Sequence, residues 1–288
     1  MIKHKIAILG GDGRFSVLAE NLCELGYECA VWQTKDTGLC ESVRCVDWRG
    51  AVNQAAAVIL PLPTTTDGTL LNLIGDVIAP TLTELLEFMD ENALLLVGNA
   101  PQAFLEYARE RKICVVDYFN SEVFETKNAL PTVEGALRLA MEHLIQTING
   151  STFAVLGYGR IGKLLSDRLI KLGGKVTVYA RREESRATAE LYGCKAEPIS
   201  NIKCSIYDIV FNTIPSDVLT EVVKNTDPAL ILDLAPQSRL SQSRHLKNCG
   251  IEVTEAPSLP GRFFPITAGE ILFECILNLL HTKGIICE

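Results

Sequence analysis

Phe153-Ala154-Val155-Leu156-Gly157-Tyr158-Gly159-Arg160-Ile161-Gly162 is the stretch that decides the fold. Four apolar residues run without a break into a glycine-x-glycine-x-x-glycine turn. An amphipathic stretch, Lys163–Leu172, follows and ends at Gly173-Gly174, before a second apolar run, Val176–Tyr179. Strand, glycine turn, helix and strand in that order are half of a dinucleotide-binding βαβ unit. Each glycine has its own reason. Gly157 permits the tight turn, Gly159 lets a pyrophosphate come up to the backbone, and Gly162 lets the helix pack closely on the strand. The helix N-terminus attracts the anion. Gly157, Tyr158, Gly159, Arg160, Ile161 and Gly162 are therefore candidate cofactor-binding residues.

The end of the second strand selects the cofactor. NAD sites usually place an acidic residue there for the ribose hydroxyls. Here Tyr179 leads into Ala180-Arg181-Arg182, and Glu183 and Glu184 come only afterwards. Two guanidiniums suit a 2′-phosphate, so the sequence predicts NADP, with Arg181 and Arg182 as its contacts. The next strand ends, Asn212-Thr213-Ile214-Pro215 and Asp233-Leu234-Ala235, flank the ribose and nicotinamide in this architecture and join the cofactor set. Asp233 is also a candidate for proton transfer.

The same alternation fills the rest of the chain. Apolar runs at Ile6–Leu9, Ala30–Trp32, Ala57–Leu60, Leu94–Val97 and Cys114–Val116 form one series. Phe153–Leu156, Val176–Tyr179, Ile209–Asn212, Leu230–Leu234 and Glu252–Thr254 form a second. Strands separated by helix-length segments imply parallel sheets, apolar on both faces. The two series resemble each other: Ile6–Gly11 parallels Phe153–Tyr158, and Leu94–Pro101 parallels Leu230–Pro236. The expected class is α/β, with two tandem doubly wound (Rossmann-like) parallel-sheet domains and an interdomain cleft. The first domain is expected over 1–130 plus 267–288, and the cofactor domain over 131–266. Two helices join them: one opening at Pro131, the other capped by Thr267 and Glu270 at capping-box spacing.

The remaining polar motifs point to a substrate. The first strand ends in Gly10-Gly11-Asp12-Gly13-Arg14, which lacks the dinucleotide register because Ser16 follows Phe15. A turn opening a helix still offers N–H groups, and Arg14 adds a cation for a carboxylate. Pro61–Thr66 supplies hydroxyls, and Pro257–Gly269 supplies a second arginine. Gly11, Asp12, Arg14, Pro63, Thr64, Gly261, Arg262 and Thr267 are the candidate substrate-binding residues, with Arg14 and Arg262 suited to a small dicarboxylate. The catalytic group is unknown. Besides Asp233, the candidate is Glu134; the four histidines read as surface residues.

Composition narrows the class. The 288 residues carry 27 Lys and Arg against 35 Asp and Glu, a net charge of −8, which argues against binding nucleic acid or an anionic membrane. The longest apolar stretches are far shorter than the roughly 20 residues that span a bilayer, and the N-terminus is too polar for a signal peptide. Ten cysteines stand without Cys-x-x-Cys spacing, so no metal site is expected and they read as reduced core residues of a cytoplasmic protein.

The whole chain resembles the A subunits of dipicolinate synthases. The resemblance rests on Ile8-Leu9-Gly10-Gly11-Asp12-x-Arg14, the Pro61-Leu62-Pro63 loop, the Gly157–Gly162 turn, and Leu259-Pro260-Gly261-Arg262 through Thr267-Ala268-Gly269. The second half alone is similar to a wider group that includes D-2-hydroxyacid and alanine dehydrogenases, whose Arg and His/acid pair has no counterpart placed here. The family resemblance implies an NADP-dependent oxidoreductase. It would form pyridine-2,6-dicarboxylate from a dihydrodipicolinate-type intermediate of the lysine pathway during sporulation, in the mother-cell cytoplasm, and its partner would be a separate B subunit. It leaves open a homo-oligomer and the need for that B subunit in turnover. Two alternatives stand beside it: a 2-hydroxy- or amino-acid dehydrogenase, and a non-catalytic NADP-sensing regulatory subunit.

Overall fold

The structure, a computed structural model, describes residues 4–35, 45, 47–214, 229–235, 240–248 and 250–285. The chain divides into two compact units: Met1–Asn128 with Pro260–Glu288, and Ala129–Leu259. The chain order is β1 (Lys5–Leu9), α1 (Gly13–Glu24), β2 (Glu28–Trp32), α2 (Trp48–Val52), β3 (Ala57–Ile59), α3 (Leu82–Phe88), β4 (Leu94–Val97), α4 (Gln102–Glu110), β5 (Cys114–Asp117) and α5 (Glu122–His143). It continues with β6 (Thr152–Leu156), α6 (Arg160–Lys171), β7 (Lys175–Tyr179), α7 (Glu183–Leu191), β8 (Lys195–Glu197), β9 (Ile209–Asn212), β10 (Ala229–Asp233), α8 (Arg244–Asn248), β11 (Ile251–Glu255), α9 (Leu259–Phe263) and α10 (Pro265–Thr282).

The first unit holds a five-stranded parallel sheet in the order β2-β1-β3-β4-β5. Its strands are apolar on both faces because both are covered. Ala7, Leu9, Val58, Leu95 and Val97 pack with α2, α3 and α4 on one side. Ile6, Ile8, Ile59 and Leu96 pack with α1 and α10 on the other. The two helices on that second face meet closely at Gly269, where a Cβ would stand 2.6 Å from Val17 Cβ and 2.9 Å from the Arg14 carbonyl oxygen. The Thr267-Ala268-Gly269 motif is thus in part a helix-packing signal.

The second unit holds six parallel strands in the order β11-β10-β9-β6-β7-β8. Numbered within the unit, this is 6-5-4-1-2-3, the doubly wound dinucleotide-binding order, whereas the first unit has the 2-1-3-4-5 order. The halves therefore share an architecture but differ in strand count. The added edge strand β8, reading Lys-Ala-Glu, is too short and polar for an apolar-run criterion to detect.

Several expectations need correction. The joining helix α5 starts at Glu122 rather than at Pro131, which lies inside it. The start is set by Ser121: its Oγ accepts from the Phe124 N–H at 3.3 Å, and its carbonyl accepts from Glu125 N at 2.9 Å. Phe124 is fully buried edge-on against Tyr118 and Phe119, which anchors the extra turns. The helix α10 starts at Pro265, with Phe264 at its N-cap, so Thr267 and Glu270 lie inside it and form no capping box. The second unit boundary falls at Leu259, ahead of position 266, because Gly261 packs onto Asp12 of the first unit.

The cysteines divide by exposure. Cys29, Cys194 and Cys204 are buried, Cys23, Cys45 and Cys275 half-buried, and all are free thiols. Burial pushes the Cys204 thiol up to about 11. Cys114, expected in the core, is exposed because β5 is an edge strand. Cys40, Cys249 and Cys287 lie outside the described residues. Among the described residues, no helix is long and apolar enough to cross a membrane, and no cluster of His, Cys, Asp and Glu is placed to hold a metal ion.

Candidate cofactor site

A hollow of about 270 Å³ lies at the carboxyl ends of β6 and β7, lined by Gly157, Tyr158, Gly159, Arg181, Arg182 and Ser185, among others. The turn that makes it is held by the backbone. Gly157 N donates to Tyr179 O at 2.9 Å, and Thr213 Oγ1 donates to Leu156 O at 2.7 Å. Gly157 has φ +93°, and a Cβ there would stand 2.6 Å from Ile214 and 2.7 Å from Thr213 Oγ1. At Gly162 a Cβ would overlap the Gly157 carbonyl oxygen. These two glycines are required by the fold itself.

Gly159 is different. Its φ of −82° and ψ of −161° suit any residue, and a Cβ would meet nothing within 4 Å. Glycine is favoured over alanine at the N-cap of α6, which Gly159 occupies, but no close contact demands it. The open space beside the first N–H groups of this 12-residue helix leaves room for a pyrophosphate. The residues present therefore fit a bound dinucleotide.

Arg160 is exposed and Ile161 half-buried at the start of α6, while Tyr158 is 9% exposed, with Lys163 Nζ 5.7 Å from its ring centre. Arg181 and Arg182 are exposed at the end of β7. The sequence reasoning missed other residues of this corner. Ser185, Tyr179 and Ile199 line the hollow. Burial and the Tyr207 hydroxyl, 2.8 Å away, push the Tyr179 phenol upward, so it stays neutral. Arg186 Nη1 donates to Ala180 O at 3.0 Å and Arg181 O at 2.8 Å. Its signal was its place one helical turn after Arg182.

The strand ends beyond the turn form a brace. Asn212 Nδ2 donates to Asp233 Oδ1 and to Ile214 O, both at 2.9 Å. Asp233 Oδ1 also accepts from Ala235 N at 3.2 Å, and Leu234 N donates to Asn212 O at 2.9 Å. Asn212 is fully buried and Asp233 only 3% exposed, so the pair ties the carboxyl ends of β9 and β10 together. Pro215 lies outside the described residues. Glu134 is exposed on α5.

In the first unit the motif residues are tied to one another. Gly11 has φ +99°, and a Cβ there would overlap the Phe15 ring. Asp12 caps α1 and takes both hydrogen bonds of the Arg14 fork, Nε to Oδ1 and Nη2 to Oδ2, each at 2.8 Å. Arg14 is only 3% exposed. The guanidinium read as a carboxylate grip is thus already paired inside the fold. Thr64 is fully buried; its Oγ1 contacts the Pro61 and Gly98 carbonyls at 3.2 and 3.1 Å and accepts from Gly98 N at 2.9 Å. Pro63 is half-buried, and its carbonyl accepts from Asn72 Nδ2 at 3.0 Å. Arg262 is exposed and stacks on Phe263, 4.6 Å from its ring centre, and Thr267 is exposed.

Gly261 seats α9 on the Asp12 carboxylate so closely that a Cβ would overlap it. Gly261→Ala is expected to cost about 1–3 kcal/mol, as overpacking of a filled site does. Urea denaturation checks this; an unchanged midpoint would mean that α9 can lift away freely.

Two parallel-sheet units, one with a glycine turn that fits a dinucleotide at its strand ends, define a dinucleotide-binding α/β protein. The comparisons make that class specific. Residues 5–119 match the family model for the N-terminal domain of the dipicolinate synthase A subunit. Residues 152–235 match one described as NADP oxidoreductase coenzyme F420-dependent. The chain is 31% identical over 284 residues to the dipicolinate synthase A subunit of Bacillus subtilis, covering 96% of this chain and 95% of that one. The crystal structure of that B. subtilis protein superimposes with a TM-score of 0.79 at 28% identity, covering 99% of this chain and 98% of that one. The crystal structure of the Bacillus halodurans counterpart gives 0.82 at 25% identity over 96% and 98%. The chain belongs to the family of dipicolinate synthase A subunits.

Proposed function

We propose that this chain is an NADP-dependent oxidoreductase that forms pyridine-2,6-dicarboxylate from a dihydrodipicolinate-type intermediate of the lysine pathway during sporulation, working with a separate B subunit in the mother-cell cytoplasm. The observation that carries this reading is the likeness over 96% of the chain to a protein named as the A subunit of dipicolinate synthase. It runs through both units, where a shared dinucleotide turn would account only for the second.

The reaction balances simply. The dihydropyridine ring must lose one hydrogen with its electron pair, for which a bound oxidised NADP would supply the acceptor, and a second hydrogen as a proton. The aromatic product is stable enough that little base strength is needed. Within the chain, the Gly157–Gly162 turn and the N-terminus of α6 would hold the pyrophosphate. Arg181 and Arg182 would hold the 2′-phosphate, and the two strand ends, Asn212-Thr213-Ile214 and Asp233-Leu234-Ala235, would support the ribose and nicotinamide end. Of the two candidate arginines, Arg262, exposed on α9, is the one left to meet a substrate carboxylate, since Asp12 already holds Arg14.

The test generates the intermediate with dihydrodipicolinate synthase, adds this chain and NADP with and without a B subunit, and follows nicotinamide reduction and pyridine dicarboxylate together. Both should appear in step and faster than the spontaneous reaction. Tight NADP binding with neither product under any combination would instead make the chain a nucleotide sensor. Turnover by this chain alone on a simple 2-hydroxy or 2-amino acid would make it an ordinary dehydrogenase. For the cofactor, replacing Arg181 and Arg182 together by alanine should weaken NADP by roughly 10- to 100-fold, the worth of one or two charge-assisted hydrogen bonds, and leave NAD nearly unchanged. Equal weakening of both cofactors would overturn the NADP assignment.

A further inference from the structure

We propose that Arg186 is a positioning residue for cofactor choice: by clamping the turn between β7 and α7, it presents Arg181 and Arg182 to the 2′-phosphate. The inference rests on the NADP reading above and adds to it a residue that touches neither the phosphate nor the ribose.

The turn needs such a clamp. Helix α7 begins with Arg182 at its N-cap, a position where Ser, Thr, Asp or Asn would normally tie the first turn with a side-chain bond, and Arg182 makes none. Ala180 is held on its N–H side, where it donates to Glu197 O of β8 at 3.2 Å. Past that point the turn is gripped from its carbonyl side. Arg186 directs Nη1 at two successive carbonyls, Ala180 O at 3.0 Å and Arg181 O at 2.8 Å. Its own N–H reaches Arg182 O at 3.3 Å, so the clamp is built one helical turn away from what it holds. Arg186 is half-buried, whereas Arg181 and Arg182 are exposed.

The chemistry calls for this arrangement. Three guanidiniums within six residues repel one another, and the exposed Glu183 and Glu184 offset that only in part. Long arginine side chains also lose rotamer freedom when they close on an anion. A turn already fixed by two carbonyl bonds removes the backbone share of that ordering cost, and it does so only for a ligand that engages Arg181 and Arg182. NAD, lacking the 2′-phosphate, gains little from it. The hollow is lined by Arg181, Arg182 and Ser185 on the side where that phosphate would lie.

The experiment is a set of calorimetric titrations of the full chain with NADP, NAD and adenosine 2′,5′-bisphosphate. Arg186→Ala should weaken NADP and the bisphosphate about tenfold and NAD less than twofold. Arg186→Lys, which keeps the charge and can reach one carbonyl, should fall between. A double-mutant cycle separates positioning from contact: adding Arg186→Ala to Arg181→Ala/Arg182→Ala should cause no further loss. If the further loss equals the single-variant loss, Arg186 meets the phosphate directly and the proposal is overturned. If Arg186→Ala weakens NADP and NAD alike, Arg186 serves only the fold and the proposal is overturned as well. A wild-type chain that binds NAD as tightly as NADP would instead overturn the NADP reading itself. Should the alanine variant unfold, the lysine variant and its own cycle carry the same decision.

Discussion

Replacing Asp12 by alanine is expected to lower the stability of the chain by about 3 kcal/mol, the lower end of the loss seen when one partner of a buried ion pair is removed, since Arg14 is buried and Asp12 half-buried. The size comes from what is left behind. Arg14 is 3% exposed, and Asp12 takes both arms of its fork at 2.8 Å. Without Asp12 a guanidinium stays buried with its charge uncompensated, and α1 loses the cap that accepts Arg14 N at 3.2 Å. Denaturant unfolding followed by circular dichroism measures the loss. Changing Arg14 to methionine in the same chain should restore a good part of it, because two neutral groups leave no stranded charge. A loss below about 1 kcal/mol for Asp12→Ala would mean that water reaches Arg14 as soon as Asp12 is gone.

The second large effect separates two glycines of one motif. Gly159→Ala should lower the melting temperature only slightly, through a poorer N-cap on α6, since the backbone there is ordinary and a Cβ meets nothing within 4 Å. It should nevertheless weaken NADP by roughly 10- to 100-fold, because the added methyl occupies ligand space and overpacking costs about 1–3 kcal/mol. Gly162→Ala should do the reverse first. Its Cβ would overlap the Gly157 carbonyl oxygen, so α6 must shift away from β6 and the unfolding transition must fall before any ligand is added. Thermal melts and cofactor titrations on the two variants give a crossed result. If Gly159→Ala melted early and Gly162→Ala did not, the division between fold glycine and ligand glycine would be wrong.

Much of the fold was legible in the sequence because parallel strands covered on both faces are written as unbroken apolar runs. Leu94–Val97 and Phe153–Leu156 could hardly be anything else. The glycine turn was legible too, because Gly157 answers to a positive φ and Gly162 to a close approach of the Gly157 carbonyl that any Cβ would block. The strand β8 was not, since Lys195-Ala196-Glu197 is held by pairing with β7 and not by its own hydrophobicity. The start of α5 was missed for a related reason. A proline at 131 is a strong local signal, but Ser121 and the burial of Phe124 against Tyr118 outweigh it.

The kind of chemistry is written in short motifs: a glycine turn of the dinucleotide type, an arginine pair beside it, and a second α/β unit with its own polar loops. These depend on residue types at fixed short spacings, which a chain carries before it folds. Which of those side chains are already engaged is visible only once the chain is folded. Arg14 reads as a free cation and is closed by Asp12; Thr64 reads as a ligand hydroxyl and is buried among three backbone groups; Asp233 reads as a proton acceptor and braces Asn212. Arg186, which no motif singles out, holds two carbonyls of the turn before it. The reason is physical: a polar side chain's role depends on which partners reach it within about 3 Å, and those partners come from folding, not from sequence spacing.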